Sequence, residues 1–331
     1  MRILYAIQGT GNGHLSRAAD VAPALEKHGQ VDYFISGAQS DIDFPYPITY
    51  RSKGLSFYFG QRGGINYPRT FFKNSARRLY KEIRDFPIEK YDLVVNDFEP
   101  ISAWAAKVKK KKCVALSHQS ALLTDQFPKP EKRDLVGKAI LENYAPASRH
   151  YGFHFRSHAD NIHTPVIRRA VRKAINENKG HFTVYLPAYS DTKIIQVLSQ
   201  IEGVKWQVFS KHSKSAYDQG EINIEPVDNE RFIKSITTSA GVLCGAGFET
   251  PSEALFLGKK LLVIPMKDQY EQQCNAAALK SMGVPVLKKL NMDSVDVIRK
   301  LVTSPQPEPV AYPDHTQGIV NKLVEKEVED G

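Results

Sequence analysis

The sequence predicts an α/β protein made of two doubly wound, parallel-sheet domains. Three observations point there. The chain opens on a β-α-β unit, β-α-β order resumes near residue 182, and residues 242–276 read strand, loop, helix, strand, loop. Strands that alternate with helices pair in parallel, because each crossover returns the chain to the same end of the sheet. A length of 331 residues supplies two domains of ordinary size.

In the first half, Leu4 to Ile7 form a buried strand, and Gly9, Gly11 and Gly13 follow at once. Apolar residues then recur at helical spacing through Leu15, Ala18, Ala19, Ala22 and Leu25, to a stop at Gly29. Strand VDYFIS completes the unit. A dinucleotide fingerprint would need a third glycine where His14 stands, so the loop is a poor match for NAD. Asp41, Ile42 and Asp43 form a DxD string, read as loop or cap carboxylates rather than metal ligands. Residues 68–86 make a basic amphipathic helix with Phe72, Leu79, Ile83 and Phe86 on one stripe. Lys73, Arg77, Lys81 and Arg84 lie on another, and packing of the apolar stripe on the sheet is preferred to a seat on lipid. Leu93 to Val95 are a strand with Asp97 and Glu99 at its carboxyl end, before helix ISAWAAKV. Strand CVALS ends at His118, and a helix LVGKAILENYA follows.

The second half opens with strand FTVYLPA, helix TKIIQVLSQI and strand KWQVFS, then strand EINIEPV and helix NERFIKSITTS. In the stretch after it, Gly245, Ala246 and Gly247 allow a sharp turn and close approach to a ligand. Thr250, Pro251 and Ser252 mark a helix start, whose free N–H groups and dipole suit a diphosphate. Glu253, one turn in, is placed to accept from vicinal hydroxyls. Strand LLVIP stops at Pro265, and Asp268, Glu271, Gln272 and Asn275 follow, so polar groups gather at the carboxyl ends of parallel strands. A helix, a strand VPVL, a helix DSVDVIRKLV and a Pro-rich crossover at 305–313 complete the reading.

Composition narrows the class. Hydrophobic content is 42% and the formal net charge is +9, the balance of a soluble globular chain. The opening run MRILYAIQ is too short for a signal or a membrane span. Cys113, Cys244 and Cys274 show neither metal-ligand nor disulfide spacing, so they read as core residues in a reducing, cytoplasmic compartment. Residues 51–112 hold 15 Lys and Arg against 6 Asp and Glu. An anionic membrane surface is the partner considered for this region, beside the plainer reading of a solvated face; no nucleic-acid partner is expected.

The spacing of Gly247, Thr250, Glu253, Gly258, Pro265, Gln272, Asn275 and Ala276 resembles the donor-site signature of nucleotide-sugar glycosyltransferases of the GT-B fold. It is similar both to the peptidoglycan lipid-intermediate N-acetylglucosaminyltransferases and to the UDP-glycosyltransferases. The plant-type signature has a histidine where Gly245 stands, which leaves the diphosphate to backbone N–H groups. The resemblance implies two domains facing across a cleft: residues 1–162 for the acceptor, 163–313 for the donor, and a terminal helix, 314–331, returning toward the first. It implies that Gly245, Ala246, Gly247, Thr250 and Ser190 meet the diphosphate, that Glu253 meets the ribose, and that Val227 receives the base. Glu271, Gln272 and Asn275 would meet the sugar or phosphate. The string GTGNGHLSR resembles the amino-terminal loop of these enzymes, which makes His14 a general base and Asp97 its orienting acid. Helix capping or phosphate binding remains open for His14, and helix capping for Asp97. Gly11, Asn12, Gly13, Arg17, Glu99 and His118 are the remaining cleft and acceptor-side candidates. The expected substrate is a nucleotide diphospho-sugar, UDP-linked, transferred with inversion and without metal or cofactor to an acceptor that is a glycan or lipid-linked. A nucleotide-sugar 2-epimerase and a non-catalytic nucleotide-sugar sensor are the rival readings. The expected location is cytoplasmic, on the inner face of the membrane if the basic region binds it.

Overall fold

The computed structural model describes residues 1–37, 44–54, 76–131, 134–158 and 160–329. Asp41, Asp43, Phe72 and Lys73 lie outside the described residues. The first sheet takes β1 (Arg2–Gln8), β2 (Gln30–Ser36), β3 (Ile48–Ser52), β4 (Leu93–Asp97), β5 (Val114–Ser117), β6 (Arg149–Phe153) and β7 (Ile162–His163). Their spatial order is β3-β2-β1-β4-β5-β6-β7, with every neighbouring pair parallel. Ile3 to Ile7 have no exposed surface, as expected of a strand covered on both faces by crossover helices. Those helices are α1 (Asn12–Glu26), α2 (Ala76–Asp85), α3 (Pro100–Val108), α4 (His118–Leu122) and α5 (Leu135–Asn143).

After α6 (Arg169–Lys173) the second sheet takes β8 (Phe182–Tyr185), β9 (Trp206–Ser210), β10 (Tyr217–Gln219), β11 (Ile222–Pro226), β12 (Gly241–Gly245) and β13 (Lys260–Ile264). Its order is β10-β11-β9-β8-β12-β13, parallel except for β10 against β11. The helices are α7 (Asp191–Leu198), α8 (Asn229–Thr238), α9 (Glu249–Phe256), α10 (Tyr270–Ser281), α11 (Val295–Thr303) and α12 (Thr316–Glu329). Both sheets are doubly wound, as predicted.

Helix α12 lies on the first domain. Its Ile319, Val320, Leu323 and Val324 share one apolar cluster with Ala18, Val21, Ala22 and Leu25 of α1. His28 Nε2 lies 2.9 Å from Asn321 Oδ1, and Arg149 Nη1 donates to Glu327 at 3.0 Å. On α2, Leu79 and Ile83 pack on the core while Arg77, Lys81 and Arg84 face solvent.

Two local expectations change. The run VPVL forms no strand; only Val286 bridges to Val263. Helix α9 begins at Glu249, with Phe248 before it, and neither Thr250 nor Ser252 caps it. The Ser252 hydroxyl instead donates back to the Phe248 carbonyl at 2.7 Å. A serine in the first turn has that carbonyl within reach, so its hydroxyl has a partner inside the helix.

Candidate active site

In an open parallel sheet a crevice forms where strand order reverses, because the flanking crossovers leave toward opposite faces. The first sheet reverses between β1 and β4, the second between β8 and β12. Loops at the carboxyl ends of both pairs line one cavity of about 980 Å³. From the first domain come Gly11, Asn12, Gly13, His14, Arg17 and His118; from the second come Ser190, Val227, Gly247, Thr250, Glu271 and Gln272.

Gly11 turns the chain from β1 into α1 with φ 93°, a conformation open mainly to glycine. That turn sets His14 in the first turn of α1, beside the end of β4. His14 Nδ1 lies 2.8 Å from Asp97 Oδ1. A carboxylate only accepts, so Nδ1 carries the proton and the Nε2 lone pair is left facing Gln119 Nε2 at 3.4 Å. Asp97 has no exposed surface, and its second partner is Arg17, whose Nη2 donates to both carboxylate oxygens at 2.6 and 2.8 Å. The helix-cap role considered for Asp97 belongs to Glu99. Its buried carboxylate accepts from the amides of Ile101 and Ser102 at 2.8 and 2.6 Å and from the Ser36 hydroxyl at 2.5 Å. Glu99 does not line the cavity, which corrects its place among the cleft residues: its oxygens are consumed inside the domain.

The electrostatics follow from the partners. Burial would push the His14 imidazolium down, but the adjacent Asp97 charge and hydrogen bond leave its pKa above the ordinary value. Burial would push Asp97 up, and Arg17, then His14, hold it below the ordinary carboxylate range. Arg17 spans the domains, with Nη1 donating to Glu249 at the head of α9. One guanidinium between two carboxylates leaves a net negative cluster, which favours a proton on His14.

Other contacts close the two domains on each other. Gln119 donates to Glu271 at 3.0 Å. His118, 1% exposed, donates from Nδ1 to the Phe153 carbonyl at 2.7 Å and stacks on Phe248 at 3.9 Å. Its Nε2 lies 2.7 Å from Asn275, which donates to the Ala246 carbonyl at 3.0 Å. Burial holds the His118 pKa below its ordinary value. A Cβ on Gly13 would stand 2.6 Å from Glu249, so only glycine admits this approach without a shift.

Several donor-side expectations land elsewhere. Gly245, Ala246, Glu253 and Asn275 do not line the cavity. Asn275 is fully buried between His118 and Ala246, and Glu253, 2% exposed, is clasped by Arg168 at 2.5 and 2.7 Å. The ribose partner expected of Glu253 is thus already paired, and Arg168 faces the cavity instead. Ser190 lines the cavity and caps α7 by accepting from the Lys193 amide at 3.4 Å. The N-termini of α1, α9 and α10 have no side-chain cap, and the residues before them, Gly11, Phe248 and Gln269, all line the cavity. Gln8, Gln119 and Gln269 line it too, each with a buried amide oxygen that has no partner among the described residues. Uncapped N–H groups bind anions, and unpaired carbonyl oxygens accept from hydroxyls. Among the described residues no three His, Cys, Asp or Glu side chains converge as metal ligands.

Sequence reasoning passes over Glu249, Gln119 and Arg168. Glu249 and Gln119 each adjoin a residue that it does single out, Thr250 and His118, whereas Arg168 has no local signal.

The family model described as glycosyl transferase family 1 matches residues 1–304. The chain belongs to that family. No curated protein matches it. Among solved structures, LpCGTa in complex with UDP is 13% identical with a TM-score of 0.58, over 99% of this chain and 94% of that one. MurG of Acinetobacter baumannii is 15% identical with a TM-score of 0.55, over 98% and 99%. A UDP-N-acetylglucosamine 2-epimerase is 13% identical with a TM-score of 0.55, over 100% and 96%. At such identities the likeness is one of fold, and that fold is GT-B. Family and fold together make this chain a glycosyltransferase. Among the described residues no helix is long and apolar enough to cross a membrane.

Proposed function

We propose that the enzyme transfers a hexosyl group from a UDP-sugar to an acceptor hydroxyl, with inversion and without a metal. One observation carries this reading. His14, oriented by Asp97 at 2.8 Å, faces the uncapped head of α9 across a single cavity. The base sits in one domain and the anion-binding helix in the other, so an acceptor between them meets the anomeric carbon from the side opposite the leaving diphosphate. His14 Nε2 takes the hydroxyl proton, the oxygen attacks, and the diphosphate departs onto the N–H groups of α9, helped by α1 and α10. Asp97 keeps the proton on Nδ1 and stabilises the imidazolium. The amide oxygens of Gln8, Gln119 and Gln269 are the proposed partners of sugar and acceptor hydroxyls. The acceptor is a glycan or a lipid-linked sugar, presented at a membrane that the basic region touches.

The test pairs donor binding with chemistry. UDP should raise the melting temperature, and UDP-sugars offered with glycan and lipid-linked acceptors should be consumed by wild type. His14→Ala should bind UDP as wild type does and transfer ~10²–10⁴-fold more slowly. Epimerisation of the donor without an acceptor, or transfer with retention, would overturn the proposal.

A further inference from the structure

We propose that Glu249 is an internal stand-in for the donor phosphate, and that Arg17, reaching over from the first domain, exchanges Glu249 for that phosphate when the donor binds. The inference rests on the proposed nucleotide donor and adds a ligand from the opposite domain.

Four observations converge. Glu249 is the first residue of α9, where no side chain caps the free N–H groups. Its carboxylate also lies against the first turn of α1, 2.6 Å from where a Gly13 Cβ would stand, and α1 too lacks a side-chain cap. A negative group is therefore already held where two helix N-termini converge, the environment an anion selects. Glu249 is 19% exposed and Arg17 is its hydrogen-bond partner, whereas Asp97, Arg17's other partner, is fully buried. The Glu249 contact is the one on the wet side, open to replacement. Arg17 is 2% exposed, lines the cavity, and has a buried Nε with no partner among the described residues. Nη1 carries two N–H donors, so the arm that now holds Glu249 is the one a phosphate oxygen would take over as a charge-assisted hydrogen bond. Exchange at Glu249 leaves the Asp97 pairing intact, so the base keeps its orienting acid while the donor site gains a cation.

Calorimetry of UDP and of uridine against the full-length protein separates the possibilities. In Glu249→Gln the competing charge is gone and Arg17 keeps Asp97, so UDP should bind about tenfold tighter while uridine binding is unchanged. Arg17→Lys should weaken UDP by about tenfold, again with uridine unchanged, because one ammonium cannot serve Asp97 and the phosphate at once as two guanidinium arms do. A helix-dipole or purely structural role for Glu249 would move melting temperature and leave UDP affinity as in wild type, which overturns the proposal. Weaker UDP binding in Glu249→Gln overturns it too, since Glu249 would then be a donor contact. If no nucleoside diphosphate binds wild type or Glu249→Gln, the donor reading itself fails and takes the exchange with it. If UDP binds wild type but ignores both substitutions, only the exchange fails.

Discussion

His14 answers to charges from three elements: Asp97 on β4, Arg17 on its own helix and Glu249 on α9, while Glu271 of α10 reaches it through Gln119. His14→Ala should lower turnover by ~10²–10⁴-fold with UDP affinity nearly intact. Asp97→Asn should cause a smaller loss, and the double variant should be little worse than His14→Ala, because residues that act as one unit are not additive. Only the neutral ring accepts a proton. Its pKa is raised, so kcat/KM should climb with pH through a midpoint above 6.5. Removing the Asp97 charge should carry that midpoint downward. Losses that multiply, or a midpoint that stays in place, would dissolve the pair. The His14 and Asp97 candidates were legible because each stands where a strand meets a helix, a context written in a few consecutive residues. Glu249 was not legible, since its partner lies 232 residues away. Nor was the clasp on Glu253, which Arg168 makes from 85 residues away.

At the scale of elements, strands and helices followed the apolar periodicity closely, because fully buried parallel strands leave a continuous apolar run. The exceptions are instructive. VPVL has strand composition but adds only a bridge at Val286, so its residues meet the apolar pattern without a ladder. Both Asp97 and Glu99 stand at the end of β4, and only folding decides which is the cap: the Glu99 side chain reaches the α3 amides while Asp97 points to α1. Helix α2 carries the membrane proposal, since Leu79 and Ile83 pack inward and Arg77, Lys81 and Arg84 stay exposed. Each cation contributes ~1 kcal/mol near an anionic surface, so neutralising all three to Gln should weaken affinity for phosphatidylserine vesicles, read by sedimentation, by roughly a hundredfold. Equal sedimentation would leave α2 a solvated face.

For the whole molecule, what joins the two sheets is an aromatic and imidazole junction that no sequence period announces. His154 stacks on Phe127 at 3.6 Å and neighbours His118, which in turn stacks on Phe248 of the second domain. The groups facing His154 are His118 from α4, Lys129 from the loop after it, and Arg156 from its own segment; all disfavour a further positive charge. Burial, then His118, push its pKa down to about 3. A depressed histidine stabilises the fold above its unfolded value near 6.5, and that contribution is lost as pH falls toward the folded value. At pH 5 the loss is about 2 kcal/mol from this residue. His154→Phe keeps the stack and removes the titration, along with a buried Nε2 that has no partner among the described residues. Its stability at pH 7 should therefore stay within about 1 kcal/mol of wild type. At pH 5 the variant should hold about 2 kcal/mol more than wild type, read as a later urea midpoint. Parallel pH dependence in the two proteins would show that His154 is not the group through which acid opens this junction, and would pass that role to His118.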